Sequence, residues 1–340
     1  MHSGLAMREQ GVPLGFIDAQ CWARDPQEFG KKALHSALPI EDKESWRWIK
    51  GCQAVAAVQK RKPRIQLVSV GDREADIYET VEEGLREPGS AKLLVRARHN
   101  RKVQDEQGRL FETIRAHPVV GYQAVKLPRQ GSRPKRVAKL AIRFAAVTLC
   151  PPKAKPGLAH LDVRMVLAQE VDAPQGAVPI EWALLTTAAV GSFEQACEKV
   201  AWYTQRWGIE VFHRTLKSGC KVEDRQLGGC ERLQACLAID MVIAWRIHHM
   251  TKLGRKVPDL PADVYFEKGE IDVPVAYEIK YRRRPQDAPA PTLRDAIRMT
   301  AKHGGFLGRN SDGEPGTEAP WRGLLRLDGL IEGWRLPRSP

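Results

Sequence analysis

Four polar side chains recur at helical spacing in the stretch AWYTQRWGIEVFHRTLKSG, residues 201–219. Tyr203, Arg206, Glu210 and Lys217 follow one another at intervals of three, four and seven residues. With about 100° of rotation per helical residue, all four fall within about 60° of arc on one helix. That face would combine one carboxylate, two cations and a phenol beside an apolar stripe that packs into a core. A simple i,i+4 ion pair of Arg206 with Glu210 on a solvated face is the alternative explanation.

Another acidic side chain, Asp72, follows a short apolar run. Residues 65–70 are predicted to form a buried strand that Gly71 ends, with a helix starting near Arg73. Ligands gather where the strands of open α/β sheets end, although Asp72 also suits the N-cap of that helix. Together with Glu210, it offers carboxylate oxygens, which are the ligands that Mg²⁺ or Mn²⁺ prefers. Two such ions on a phosphodiester activate the attacking oxygen and stabilise the leaving one.

The elements around these residues follow the order of an α/β fold. The first twenty residues are predicted to form a hairpin, strands follow at 92–98 and 180–187, and one long helix runs from Ser192 to Lys217. Between the strands, residues 99–180 have the pattern of an inserted antiparallel β-subdomain. Its basic residues are expected either in solvated turns or along an edge that tracks phosphates. They are Lys126, Arg129, Arg133, Lys135, Arg136, Lys139, Arg143, Lys153 and Lys155.

The C-terminal part of the chain is predicted to be helical. An apolar helix is expected at 231–253, and Thr292 with Asp295 has the spacing of a capping box that opens another helix. That second helix is the one clear helix beyond Gly254. The last thirty residues are expected to be loosely ordered until the segment WRGLLRLDGLIEGW.

Net charge sets this chain apart from an ordinary globular protein. The 54 Lys and Arg residues exceed the 41 Asp and Glu residues and give a formal net charge of +13. Such a surplus favours polyanionic partners, above all nucleic acid. Seven scattered cysteines without zinc spacing predict free thiols in a reducing cytoplasm. Because no apolar run reaches the length of a membrane span and the first residues lack a signal-peptide pattern, a soluble intracellular protein is expected.

The spacing Y-x2-R-x3-E-x6-K resembles the signature of DDE-type bacterial transposases of insertion-sequence family four, the Tn-five-like, cut-and-paste group. The segment SVGDREADIYE at 69–79 is similar to the second catalytic aspartate motif of that family, and GGFLGRNSDGEPGTEAPWRGL at 304–324 also resembles its members. The resemblance spans nearly the whole chain. It implies an RNase H-like mixed sheet, metal-dependent cleavage of transposon-end DNA, and strand transfer through a hairpin intermediate.

The resemblance also implies a role for each residue of the motifs. Asp72 and Glu210 would be two of the three catalytic carboxylates that bind Mg²⁺ or Mn²⁺. Tyr203, Arg206 and Lys217 would hold phosphates near the transposon end.

Two residues outside the motifs gain implied roles in DNA binding. Trp182, on the strand that enters the long helix, would stack on a flipped base, or else be a packed strand residue. Arg96, at the end of the LLVRAR strand, would touch DNA, or else be an ordinary surface cation. The implied partners are double-stranded DNA, at transposon ends and target within the nucleoid, and a second copy of the chain.

The domain organisation implied by the resemblance has four parts. Residues 1–98 would form the first part of the catalytic core and 99–180 the inserted β-subdomain. Residues 181–228 would complete the core, and 229–340 would be a dimerisation region.

One part of the family pattern has no counterpart in this sequence. The first catalytic aspartate should lie on a strand that precedes the hairpin, after an N-terminal DNA-recognition domain. Asp18 and Asp25 are the nearest acids, and neither has that position. We therefore expect a truncated transposase, or one with a misplaced start, that is inactive alone because two carboxylates hold metals more weakly than three. The alternatives are a non-catalytic dimerising inhibitor of a full-length transposase and another DNA nuclease with an RNase H fold.

Overall fold

The chain has a mixed α/β fold with a helical C-terminal region, as predicted. The computed structural model describes residues 1–22, 38–87, 89–127, 135–282, 284–309 and 311–336. Asp25, Arg129 and Arg133 lie outside these described residues. The chain forms two compact units, one of residues 1–4 and 16–206 and the other of residues 5–15 and 207–340.

The eight strands of the described residues form two sheets. Their bounds are β1 His2–Met7, β2 Pro13–Gln20, β3 Val68–Gly71, β4 Lys92–Arg96, β5 Gly121–Leu127, β6 Arg136–Leu149, β7 Leu161–Val171 and β8 Glu181–Thr186. The predicted hairpin, β1 and β2, is a separate two-stranded sheet. The other six strands lie in the order β3-β4-β8-β7-β6-β5. In this sheet β3 and β4 run parallel, while the other neighbouring strands are antiparallel.

Both faces of the six-stranded sheet are packed against helices. The helices of this unit are α1 Trp46–Arg61, α2 Tyr78–Glu83, α3 Leu110–Ala116 and α4 Phe193–Gln205. Leu93 and Val95 of β4 belong to one buried cluster with Tyr78 of α2, whereas Leu94 belongs to the other with Val200 of α4. Alternate residues of a strand point to opposite faces, so β4 is apolar throughout and carries the centre of both cores.

The strands predicted as an inserted subdomain continue the central sheet. The link is β8, which pairs with β4 through Leu184 opposite Arg96 and with β7 through Leu184 opposite Val166. The short helix α3 lies in this region, where only strands were predicted. The predicted domain boundaries after residues 98, 180 and 228 stay predictions.

Five helices form most of the second unit. They are α5 Trp207–Ser218, α6 Cys230–Lys256, α7 Lys268–Arg282, α8 Leu293–His303 and α9 Glu318–Arg335. The predicted capping box is confirmed, because Thr292 and Asp295 make both reciprocal hydrogen bonds at the start of α8. In contrast, α7 was not predicted, since Pro274 lies inside it. No helix of the described residues is long and apolar enough to cross a membrane.

The single helix predicted from Ser192 to Lys217 is wrong, because the chain breaks it into α4 and α5. Ser192 caps α4 as predicted, accepting the N–H of Gln195 at 3.3 Å. Arg206 is a turn residue between α4 and α5 that keeps helical dihedrals, with φ −51° and ψ −30°, and its N–H donates to the carbonyl of Tyr203 at 3.1 Å. The arc of about 60° assumed one continuous helix, whereas Tyr203 lies in α4 and both Glu210 and Lys217 lie in α5.

His248 gives the helical unit a built-in sensitivity to acid. It is 1% exposed, and neither ring nitrogen has a hydrogen-bond partner among the described residues. The pKa of His248 is lowered from 6.5 to about 4, mainly by burial and in smaller part by neighbouring basic side chains. These side chains are Lys252, Arg255, His249 and Arg214.

We expect the free energy of unfolding to fall as the pH drops from about 6.5 towards 4. The unfolded chain takes up a proton in this range that the buried ring does not accept, so acid favours unfolding. The loss from this residue between pH 7 and pH 5 is about 2 kcal/mol. Urea unfolding at both pH values should show a smaller loss for His248→Leu than for the wild type. Equal losses in the two proteins would contradict this assignment.

Candidate active site

Asp72 lies directly after β3, on a tight turn. Its Oδ1 accepts the N–H of Glu74 at 2.8 Å, and its carbonyl accepts the N–H of Ala75 at 3.2 Å. Because α2 begins only at Tyr78, the predicted helix start near Arg73 is wrong, and Asp72 is not its N-cap. The hydrogen bond from Glu74 instead fixes the orientation of the carboxylate at the end of the strand.

Gly71 allows this turn to fold closely over the end of β3. A Cβ at this position would lie 2.4 Å from the Cβ of Ala75 and 3.3 Å from Cγ1 of Val95. Both neighbours are core residues that have little room to move. Gly71 is therefore required for close packing at the end of β3, and Asp72 places a carboxylate directly after it.

A second carboxylate, Asp76, anchors the far side of the same turn, and sequence reasoning missed it. Asp76 is 2% exposed and accepts the main-chain N–H groups of Arg98 at 2.6 Å and His99 at 2.9 Å. Its carboxylate also pairs with Nη1 of Arg101. Nη2 of the same guanidinium donates to the main-chain carbonyl of Asp76 at 2.8 Å. The second aspartate of the segment GDREAD could have indicated this role in the sequence. Its partners, however, lie 22 to 25 residues away in the chain, so no local pattern connects them.

His2 is a further residue near Asp72 that no sequence motif indicated. Its ring lies 4.6 Å from that of Trp48, and its buried Nδ1 has no hydrogen-bond partner in the part of the chain that the structure describes. Burial is the main cause of the lowered pKa of His2. Arg47 lowers this pKa further, whereas the nearby carboxylates of Asp18 and Asp72 act in the opposite direction. The first unit thus brings an imidazole near both acids.

Trp182 and Tyr203 are core residues in this structure. They are 8% and 5% exposed, and their rings meet edge to face with centroids 5.4 Å apart. The guanidinium carbon of Arg206 lies 5.9 Å from the centroid of the Tyr203 ring. Trp182 therefore has the arrangement of a packed strand residue. Base stacking by Trp182 and phosphate binding by Tyr203 stay predictions, and both require the side chain to become accessible.

Arg96 lies in a polar cluster at the end of β4. Its Nη2 donates to the carbonyl of Glu181 at 2.8 Å. The Glu181 carboxylate accepts hydrogen bonds from Gln169 at 2.9 Å and from Arg115 at 2.8 Å. The bond from Gln169 is the main cause of the lowered pKa of Glu181, and both arginines contribute in the same direction. A DNA contact by Arg96 stays a prediction.

Glu210 and Lys217 occupy the two ends of α5. Glu210 lies in the first turn and Lys217 in the last, which are the positions that the helix dipole favours for each charge. Lys217 Nζ lies 2.7 Å from a carboxylate oxygen of Glu223, and the two side chains are 58% and 65% exposed. So exposed a pair contributes at most about 1 kcal/mol. Breaking this ion pair so that the Lys217 ammonium can bind a DNA phosphate would therefore cost little free energy.

Several basic side chains of the inserted strands are engaged within the protein. Arg136 pairs with the buried carboxylate of Glu170, and Lys155 pairs with Glu79. Arg143 donates to the side chain of Gln169 at 2.7 Å. Carboxylates therefore balance the charges of Arg136 and Lys155 within the protein, whereas the partner of Arg143 is a neutral amide.

The two predicted metal ligands belong to different units of the chain, Asp72 to the first and Glu210 to the second. The described ranges contain no group of three or more His, Cys, Asp or Glu side chains that could hold a metal ion. Asp72 is thus a well-oriented carboxylate at a strand end, and Glu210 is a carboxylate at a helix N-terminus.

The C-terminal helical region is similar to a known domain. Residues 242–340 match the family model described as the transposase Tn5 dimerisation domain. The matched segment begins within α6, includes α7, α8 and α9, and contains the whole of the 304–324 stretch. It supports the formation of a homodimer, and it indicates a transposase-related protein.

Proposed function

We propose that this protein is a DDE-type transposase of insertion-sequence family four, with an RNase H-like core that cuts transposon ends and joins them to target DNA. The match of residues 242–340 carries the proposal. The Y-x2-R-x3-E-x6-K spacing across α4 and α5 and the position of Asp72 after β3 support it. The net charge of +13 suits double-stranded DNA as the partner, in the cytoplasmic nucleoid.

Mg²⁺ or Mn²⁺ fits the chemistry of the proposed ligands, because both Asp72 and Glu210 offer carboxylate oxygens. Such an ion would activate the attacking oxygen and stabilise the leaving oxygen of a phosphodiester. The Glu74 amide holds one oxygen of Asp72, which leaves the carboxylate oriented by the turn. These two side chains are the proposed protein ligands of the ion.

Phosphate binding is proposed for the cations of the motif. Arg206 and Lys217 would position the DNA backbone, and Arg96 would add a contact at the end of β4. Lys217 is the most accessible of the motif residues with a described partner, since its ion pair with Glu223 is exposed. Tyr203 and Trp182 would join the interface only after their edge-to-face packing opens.

A second candidate is a dimerising protein that binds partner chains without cutting DNA. One observation favours it, the matched dimerisation domain. It predicts self-association and DNA binding without cleavage.

The assay that tests the proposal is nicking of supercoiled plasmid DNA that carries both flanks of this gene, with Mg²⁺ or Mn²⁺. Metal-dependent nicking that Asp72→Asn and Glu210→Gln each reduce by at least about 100-fold supports the transposase, because metal-bound oxygens carry the reaction. It would also overturn the expectation that the chain is inactive alone with two catalytic carboxylates. Glu74→Gln is the matched control, since this side chain lies two residues from Asp72, is 63% exposed and pairs only with Arg47 on the surface. DNA binding without nicking favours the second candidate. Nicking that neither substitution changes would overturn the assignment of the site.

A further inference from the structure

One face of α6 is apolar and exposed over about two turns. Ile239 and Val242 are 64% and 65% exposed, and the small side chains of Ala235 and Ala238 beside them are exposed as well. With about 100° per residue, these four positions fall within about 100° of arc. The opposite face of α6 is buried, with Asp240 and other residues in the unit's interior. Contiguous exposed apolar surface of this kind marks an interaction site.

We propose that this face of α6 pairs with the same face of a second copy, as an antiparallel helix pair around a two-fold axis between positions 238 and 239. This inference deepens the proposed homodimer by naming one of its interfaces. It rests on the matched dimerisation domain, because that match begins at Val242, the C-terminal residue of the stripe, and the other three stripe residues directly precede it. The surface is therefore continuous with a region that is associated with self-association.

The spacing of the stripe is self-complementary about the proposed axis. Ala235 lies as far before the midpoint as Val242 lies after it, and Ala238 and Ile239 flank it directly. Antiparallel pairing thus sets each small residue against a branched one, which lets the helices interlock as ridges and grooves. An isologous contact requires this property, since residue i meets residue j and j meets i.

Charges at the ends of the stripe follow the same symmetry. Glu231, exposed in the first turn of α6, and Arg246 are equidistant from the midpoint, so each would face the other across the pair. Arg246 already donates from Nη2 to both oxygens of Glu270, at 2.7 and 2.9 Å, and its side chain is 42% exposed. A guanidinium has five N–H donors, so it serves two carboxylates at once. At each end of the antiparallel pair, Glu231 of one copy would then lie opposite Arg246 of the other.

The stripe alone does not make a whole interface. A stable dimer buries about 800 Å² on each partner, more than four small and medium side chains provide. The helix pair would therefore be one part of a contact that continues into the residues after Val242. Its contribution is measurable because apolar side chains at the centre of an interface tend to dominate its affinity.

The test is the self-association of the 340-residue chain, followed by sedimentation velocity over a range of concentrations. Val242→Lys should raise the dimer dissociation constant by at least about 10-fold, because two buried ammonium groups would face the apolar stripe. Val178→Lys is the matched control: Val178 is 69% exposed in the segment between β7 and β8, and the constant should stay unchanged. Ile239→Lys should raise the dimer dissociation constant by at least as much as Val242→Lys is expected to, about 10-fold.

A cross-link tests the register directly. The photoreactive residue p-benzoylphenylalanine at position 235 should join the peptide that contains Val242 of the second copy, as identified by mass spectrometry. A dimer whose affinity is the same in the Val242→Lys and Val178→Lys proteins would overturn the proposed face while leaving the homodimer intact. A wild-type chain that stays monomeric at every concentration would overturn both, whereas the nicking assay would still test the site.

Discussion

Replacing Gly323 with Ala is expected to destabilise the helical unit by roughly 3 kcal/mol or more. A Cβ at Gly323 of α9 would lie 1.9 Å from the carbonyl oxygen of Thr300 in α8. Gly304 shows the reciprocal approach, since its Cβ would lie 1.9 Å from the carbonyl oxygen of Ala319. The obstructing atoms are backbone, so no side-chain rotation relieves the clash, and the two helices must separate.

Thermal unfolding measures this effect, and Gly329→Ala provides the control within the same helix. Nothing lies within 4 Å of a Cβ at Gly329, so its replacement should stabilise α9 by about 1 kcal/mol. The Gly323→Ala protein should lose about 10 °C in its melting temperature. Hydrogen exchange should show the loss of protection in α8 and α9. A melting temperature that both variants change in the same direction would contradict the close helix crossing.

The second large effect is expected for Asp76→Ala, with a loss of about 3–5 kcal/mol. The Asp76 side chain is fully buried, and the Arg101 side chain that it pairs with is 10% exposed. The substitution leaves this guanidinium and the N–H groups of Arg98 and His99 without their acceptor. Because Asp76 also holds the turn that follows Asp72, the proposed metal ligand should lose its fixed position.

Chemical denaturation of Asp76→Ala beside Asp272→Ala separates a buried carboxylate from an exposed one. Asp272 pairs with Lys268 on the surface at 2.6 Å, with the two side chains 46% and 88% exposed. Its removal should cost less than about 0.5 kcal/mol. Asp76→Asn should fall between the two, because the amide keeps the shape but loses the charge. If the two alanine variants had equal free energies of unfolding, the hydrogen bonds and ion pair of Asp76 would not stabilise the protein.

Local signals in the sequence predicted the elements that frame the site. Short apolar runs identified the hairpin and the strands β3, β4 and β8, and the Thr292–Asp295 spacing identified the start of α8. These features depend on residues close together in the chain. Asp72 was placed at its strand end for the same reason, since Gly71 ends an apolar run.

Features that depend on distant contacts were missed or misjudged. The break at Arg206 coincides with the division between the compact units, which the continuous helical pattern of the sequence does not record. Tyr203 was assigned to a polar face because of its spacing, but its packing against Trp182 is tertiary. Asp76 went unnoticed because Arg98, His99 and Arg101 reach it only after β4 forms beside β3.

DNA binding by the Y-R-E-K segment can be measured by fluorescence anisotropy with a labelled duplex copied from the flanks of this gene. We expect binding whose log affinity falls linearly with log salt concentration. Lys217→Ala should weaken it and reduce the slope by about 1. Lys60→Ala is the matched control, since Lys60 is 63% exposed in a surface pair with Glu87 and should leave binding unchanged. The absence of binding at low salt, or equal losses in the Lys217 and Lys60 variants, would contradict DNA binding by this segment.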